Sequence, residues 1–139
     1  MPAKPESSLY NRLRENLPSC RLTRIESRVN LGIPDVLLAF PHGEFVMLEL
    51  KVVKRGRKVN LSPHQVAFHA VHADMRCPTF ILVQYWPAGA TRTAQSELLL
   101  YHGSQAIELA ELGVALAPVA RYPWTGVMWN MLRQELVSG

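Results

Sequence analysis

Between residues 36 and 53 the chain carries two apolar runs, Val36-Leu37-Leu38-Ala39-Phe40 and Phe45 to Val53, on either side of Pro41-His42-Gly43-Glu44. Short apolar runs bounded by turn residues predict a β-hairpin with largely buried strands. A three-residue loop, a type I turn followed by a left-handed residue, suits Pro41-His42-Gly43: Pro41 presets φ and Gly43 accepts a positive one. Phe40 then opposes Glu44, and the numbers of every opposed pair sum to 84. Upstream, Leu9, Tyr10, Leu13 and Leu17 recur at helical spacing from Glu6 to Leu17, where Pro18 stops the pattern. Arg24 to Val29 mixes β-branched and polar residues, the expected pattern of an edge or half-exposed strand, and ends near Leu31-Gly32-Ile33-Pro34.

Downstream, Lys54 to Asn60 is polar and basic and reads as a loop. Ser62-Pro63-His64-Gln65 predicts a helix start, with Ser62 as N-cap and Pro63 in the first turn, and the helix runs to about Asp74. Thr79 to Tyr85 and Glu97 to Tyr101 are apolar enough for two further strands joined by a polar loop. Gln105 to Leu112 reads as a short helix ended by Gly113. From Thr125 to Val137, the residues Val127, Met128, Met131, Leu132 and Leu136 line one face of a last helix. This order predicts one α/β domain over residues 1 to 139, with a central mixed β-sheet flanked by helices.

Composition narrows the class. No apolar run approaches the roughly 20 residues of a membrane span, so no membrane partner is expected. The start, Met1-Pro2-Ala3-Lys4-Pro5-Glu6, lacks the apolar core of a secretory signal, and Cys20 and Cys77 have neither metal-ligand nor disulfide-framework spacing. A reducing cytoplasm with two structural thiols is the expectation. Charge is uneven: residues 1 to 58 hold 11 Lys/Arg against 6 Asp/Glu, while residues 59 to 139 hold 4 against 5. That asymmetry points to an anionic partner without naming it.

The chemistry-bearing residues sit on the hairpin. Residues two apart on a strand share a face, so Glu49 and Lys51 point one way and Leu50 the other. In the register above Asp35 opposes Glu49, with Cβ atoms about 4.5–5.5 Å apart. Two carboxylates that close repel unless a cation or a proton lies between them. Taken singly, Asp35 is a turn residue after proline and Glu49 with Lys51 a salt-bridged strand face. However, Phe45-Val46-Met47-Leu48 is too apolar a lead for a solvated face. Oxygen ligands favour a hard ion, Mg²⁺ with Mn²⁺ as its substitute, and the Leu50 carbonyl is a further candidate ligand. Such an ion suits phosphodiester hydrolysis, with Lys51 orienting the attacking water or stabilising charge on phosphorus.

Pro34-Asp35, a 13-residue gap and Glu49-Leu50-Lys51 resemble the signature of the PD-(D/E)XK nucleases. Within that superfamily, Gly32-Ile33-Pro34-Asp35, the Glu-Leu-Lys strand and Leu61-Ser62-Pro63-His64-Gln65 are similar to archaeal-type Holliday junction resolvases and, next, to VRR-NUC domains, over about residues 6 to 85. The resemblance implies a restriction-endonuclease-like core and a metal-dependent DNA endonuclease with ligands at Asp35 and Glu49 and a catalytic Lys51. It also implies a helix-borne acid near the N-terminus and a glutamine on the helix after the basic loop. Glu6 suits the first because it lies on the core-facing stripe, whereas Glu15 falls on the polar face and Glu26 in the strand region. An acid in a first helical turn also complements the helix dipole without chemistry. Gln65 suits the second, and Ser62-x-x-Gln65 is equally a capping box. The resolvase likeness further implies branched DNA as substrate, a homodimer making paired nicks in four-way junctions, and a phage, prokaryotic or archaeal setting. The alternatives are a repair- or restriction-type nuclease on another DNA substrate, or a DNA-binding module that does not cut.

Lys51, Lys54, Arg55, Arg57 and Lys58 carry +5 with no acid among them, so the rest of the chain nets −1. Lys54, Arg55, Arg57 and Lys58 are the expected contacts to flanking phosphates, and Gly56 predicts a flexible loop that orders on DNA. His64, His69 and His72 lack the partners of a zinc site and read as structural. Trp86, Trp124 and Trp129 read as packing residues.

Overall fold

The computed structural model describes residues 5–26 and 31–138. The hairpin forms in the expected register: β2 (Val36–Ala39) pairs antiparallel with β3 (Phe45–Val53) from Val36↔Leu48 to Ala39↔Phe45. Its loop closes through the Phe40 amide on the Glu44 carbonyl and the Gly43 amide on the Phe40 carbonyl, with Gly43 at φ 95°. A side chain there would be strained, which explains the glycine.

The first helix, α1, covers Pro5–Asn16. The expected strand at Arg24–Val29 lies earlier, as β1 (Arg21–Arg24), and residues 27 to 29 of that expectation fall outside the described residues. The short β2 decides this, since β1 is paired only from Arg21↔Ala39 to Arg24↔Val36. Next come α2 (Pro63–Asp74), β4 (Thr79–Tyr85), β5 (Glu97–His102), α3 (Ala106–Leu112), β6 (Ala120–Pro123) and α4 (Met128–Ser138). Strand β6 has no counterpart in the sequence reading; four residues ending in proline carry no pattern of their own, and pairing with β5 creates it. Helix α4 begins at Met128, three residues after the expected start at Thr125, with Gly126 before it at φ 87°.

The six strands found among the described residues lie in chain order, antiparallel throughout except for β3 and β4, which run parallel with α2 as their crossover. The sheet is thus mixed and covered on both faces, an α/β fold as the element order implies. Even-numbered residues of β3 and β4 (Val46, Leu48, Leu50, Phe80, Leu82) pack with Leu9 and Leu13 of α1 and with Trp129, Leu132 and Leu136 of α4. Odd-numbered Val53, Ile81 and Val83 pack on the other face with Ala106 and Leu109 of α3. Among the described residues no helix is long and apolar enough to cross a membrane.

Candidate active site

Strand parity puts Glu49 and Lys51 on the α2 face, and both are surrounded before any ligand arrives. Proline explains where the hairpin opens. Hydrogen-bonded pairs alternate along an antiparallel ladder, so after Phe40/Glu44 the series runs 38/46, 36/48 and then Pro34/Leu50. Pro34 has no N–H to give, and the ladder ends. Asp35 fills the gap: its Oδ2 accepts the Leu50 amide at 2.9 Å, while its own carbonyl accepts Ile25 N–H at 2.7 Å. The Leu50 carbonyl, on the same side of the strand as its amide, faces the same opening. Gly32 lets this segment approach α2, because a Cβ there would collide with the His64 carbonyl.

Glu49 is 1% exposed. Its carboxyl is pushed up to about 9, first by burial, then by a hydrogen bond with the Asp35 carboxyl and by that group's charge; Lys51 opposes the rise and Glu6 adds to it. Asp35 thus stands close enough to act on Glu49, as the register leads one to expect. Oε2 of Glu49 accepts Gln65 Nε2 at 3.2 Å, whereas buried Oε1 has no hydrogen-bond partner among the described residues.

Gln65 does three things at once. With Ser62 it forms the capping box of α2, Ser62 Oγ accepting the Gln65 amide at 3.1 Å and Gln65 Oε1 accepting the Ser62 amide at 3.0 Å. The same Oε1 accepts Lys51 Nζ at 3.1 Å. One side chain thus starts the helix, holds the lysine and contacts the buried acid.

His69, one turn beyond Gln65, reads from the sequence as only structural, yet it belongs to this cluster. It is fully buried, with Nδ1 2.7 Å from Thr79 Oγ1 and Nε2 3.6 Å from Glu49 Oε1. Burial first, then the neighbouring His72, pushes its ring down to about 4. At neutral pH a neutral imidazole faces a protonated carboxyl, so the 3.6 Å approach is not an ion pair. The signal in the sequence is the i, i+4 spacing from Gln65, which puts both on one face of α2.

Glu6, on the first turn of α1, is near enough for its charge to raise Glu49, while Glu15 and Glu26 are exposed. Among the described residues no three His, Cys, Asp or Glu side chains gather closely enough to hold a metal ion. Glu6 is therefore not placed as a direct third ligand: α1 packs on the opposite face of the sheet and brings the charge without the contact. Two carboxylates, a free carbonyl direction and an unpartnered buried carboxyl oxygen still fit a hard ion that completes its shell with water.

The basic loop is tied to the fold at one end. Lys54, Arg55, Arg57 and Lys58 are exposed or nearly so along a backbone that is anchored: Val114 N–H donates to the Arg57 carbonyl at 2.8 Å, Gly113 leaves no room for a Cβ against it, and Val59 is buried. One end of the loop, residues 57 to 59, is thus tied to the segment at Val114, while residues 54 to 56 stay exposed around Gly56.

No protein-family model matches the chain, and no curated protein matches it by sequence. Among solved structures the chain is similar to one described as a VRR_NUC domain, at 18% identity and a TM-score of 0.49, over 78% of this chain and 97% of that one.

Proposed function

We propose that the protein is a Mg²⁺-dependent endonuclease that hydrolyses phosphodiester bonds in DNA. The observation that carries this reading is the meeting of two acids at the mouth of a broken strand ladder: buried Glu49, its carboxyl raised by burial and by the neighbouring Asp35, with Lys51 beside it. A buried acid beside a second, partly exposed one is costly without a cation, and structural roles for two carboxylates rarely need them to meet.

Asp35 and Glu49, with the Leu50 carbonyl, would hold the ion, and Glu6 would add negative charge nearby. Bound Mg²⁺ supplies Lewis acidity to the scissile phosphate and acidifies a water for attack. Lys51, aimed by Gln65, directs its ammonium toward the same space and stabilises charge as it grows on the phosphate oxygens. Lys54, Arg55, Arg57 and Lys58 grip flanking phosphates, with affinity that falls as salt rises.

The finer reading, a homodimeric resolvase that nicks four-way junctions in pairs, is supported by the likeness of the Gly32–Asp35, Glu49–Lys51 and Leu61–Gln65 motifs to junction resolvases. Cleavage of labelled junction, flap and linear duplex with Mg²⁺, with Mn²⁺ and with EDTA tests both levels. No metal-dependent cutting of any substrate would leave a binding module; equal cutting of all three would leave a general nuclease.

A further inference from the structure

Because β3 and β4 are parallel, Val53 and Tyr85 are neighbours and their strands deliver two loops to one end of the sheet, tied by Trp86 N–H on the Val53 carbonyl at 2.9 Å. Between the loops lies a cavity of about 630 Å³. One wall carries Lys54, Arg55 and Arg57; the other carries Tyr85 and Trp86 and continues into the small residues 87 to 91. Among the described residues no acid lines it. Trp86, expected as a packing residue, is only half-buried, and its indole Nε1 is shielded from solvent without a hydrogen-bond partner among the described residues. Lys54 Nζ stands 5.7 Å from the centre of its ring.

We infer that this groove binds an unpaired stretch of DNA, with Lys54, Arg55 and Arg57 on its phosphates and a base stacked against Trp86. Cations beside aromatic faces are the combination that holds single strands, since every base has a π-face and every linkage a charge. The volume lies in the range of pockets for small ligands, which is ample for a base freed from its helix. The backbone of the basic wall is tied at Arg57 by Val114, which lowers the backbone ordering that binding requires. The inference takes DNA as the ligand from the nuclease reading and adds that the substrate presents single-stranded nucleotides beside the cut, as branches and flaps do.

Binding of a short oligothymidylate and of a blunt hairpin duplex, measured by fluorescence anisotropy in EDTA over a range of salt, tests it apart from cleavage. Trp86→Leu should weaken oligothymidylate binding by roughly 5- to 100-fold with an unchanged salt slope and leave the duplex within about 2-fold. Trp86→Phe, which keeps a stacking ring, should retain most of the affinity, and Arg55→Gln with Arg57→Gln should flatten the salt slope by about one unit for each phosphate no longer neutralised. Oligothymidylate binding by Trp86→Leu equal to wild type, or equal losses on both ligands in a variant that melts like wild type, would overturn the inference. Trp86-dependent binding in a protein that cuts nothing would uphold it and sink the nuclease reading instead.

Discussion

Glu49 Oε1 and His69 Nε2 lie 3.6 Å apart in the interior, and neither atom has a hydrogen-bond partner among the described residues. The ring is fixed from behind by Thr79, so Nε2 keeps facing the acid. A partner at that position holds a carboxylate in one orientation, as outer groups do around metal ligands. His69→Ala should lower Mn²⁺ affinity, read by calorimetry, or cleavage rate by about 10–100-fold, with His69→Gln recovering part of it. Unchanged metal affinity and rate in a folded His69→Ala protein would reduce the histidine to packing.

Acid–base linkage gives a second test. Without metal, folded Glu49 keeps its proton to about pH 9, against 4.5 as the ordinary value, so between those values the unfolded chain binds fewer protons and stability falls as pH rises. His69, lowered from 6.5 to about 4, acts oppositely: its contribution is full above pH 6.5 and lost as pH falls through 4. The two offset each other between 4.5 and 6.5, and Glu49 alone acts above that. Thermal melts in EDTA should decline from pH 6.5 to 9, and Glu49→Gln should remove the decline. Melting temperatures that climb over that range would show Glu49 ionised in the metal-free fold.

The same protonation makes Glu49→Gln nearly isosteric with the resting acid. We expect it to fold as well as wild type or better at about pH 8, between the ordinary and the raised values, to bind DNA, and to lose cleavage. Asp35→Asn should also lose cleavage but cost more stability, because the Leu50 amide then has a weaker acceptor. Mg²⁺-dependent cutting retained by either variant would remove that residue from the site.

Gly32→Ala tests how the motif is seated. An added methyl meets the backbone carbonyl of His64, which cannot turn aside, so the segment or α2 must shift. Overpacking of this sort costs about 1–3 kcal/mol. Cleavage should drop with stability, since Asp35 is three residues on; a variant that melts and cuts like wild type would show that the approach is loose.

For the dimeric resolvase reading, sedimentation should give a dimer, and competition at moderate salt should favour a four-way junction over linear duplex. A small site beside a basic loop reads charge and shape more than base edges, so selectivity must come from paired geometry. A strict monomer with equal affinities would leave a nuclease of general or repair type.

The hairpin and its carboxyl pair are legible in the sequence because side-chain alternation has period two and Pro41-His42-Gly43 admits one loop, so the register reaches Asp35 and Glu49 by counting. Gln65 is visible there as a capping residue, but its reach to Lys51 and Glu49 is not, and the only mark on His69 is its i, i+4 spacing from Gln65, which says nothing of what that face meets. Both depend on which side of α2 meets the sheet, a matter of crossover packing that apolar spacing does not reveal here, His69 being the buried residue of the helix. Strand β6 and the true limits of β1 depend on partner strands and carry little local signal. The basic loop reads as flexible from Gly56, whereas its anchor, Val114, is distant in the chain and pairs with it only in the fold.

Gln65 Oε1 receives both the Ser62 amide and the Lys51 ammonium. Fraying of the first turn of α2 would therefore release the lysine in the same event. Helix ends open far more often than the whole fold does. The lifetime of that one turn, readable as protection of the Gln65 amide against deuterium, then sets how long the lysine stays held, and the orientation of Lys51 becomes a clocked property of a helix end.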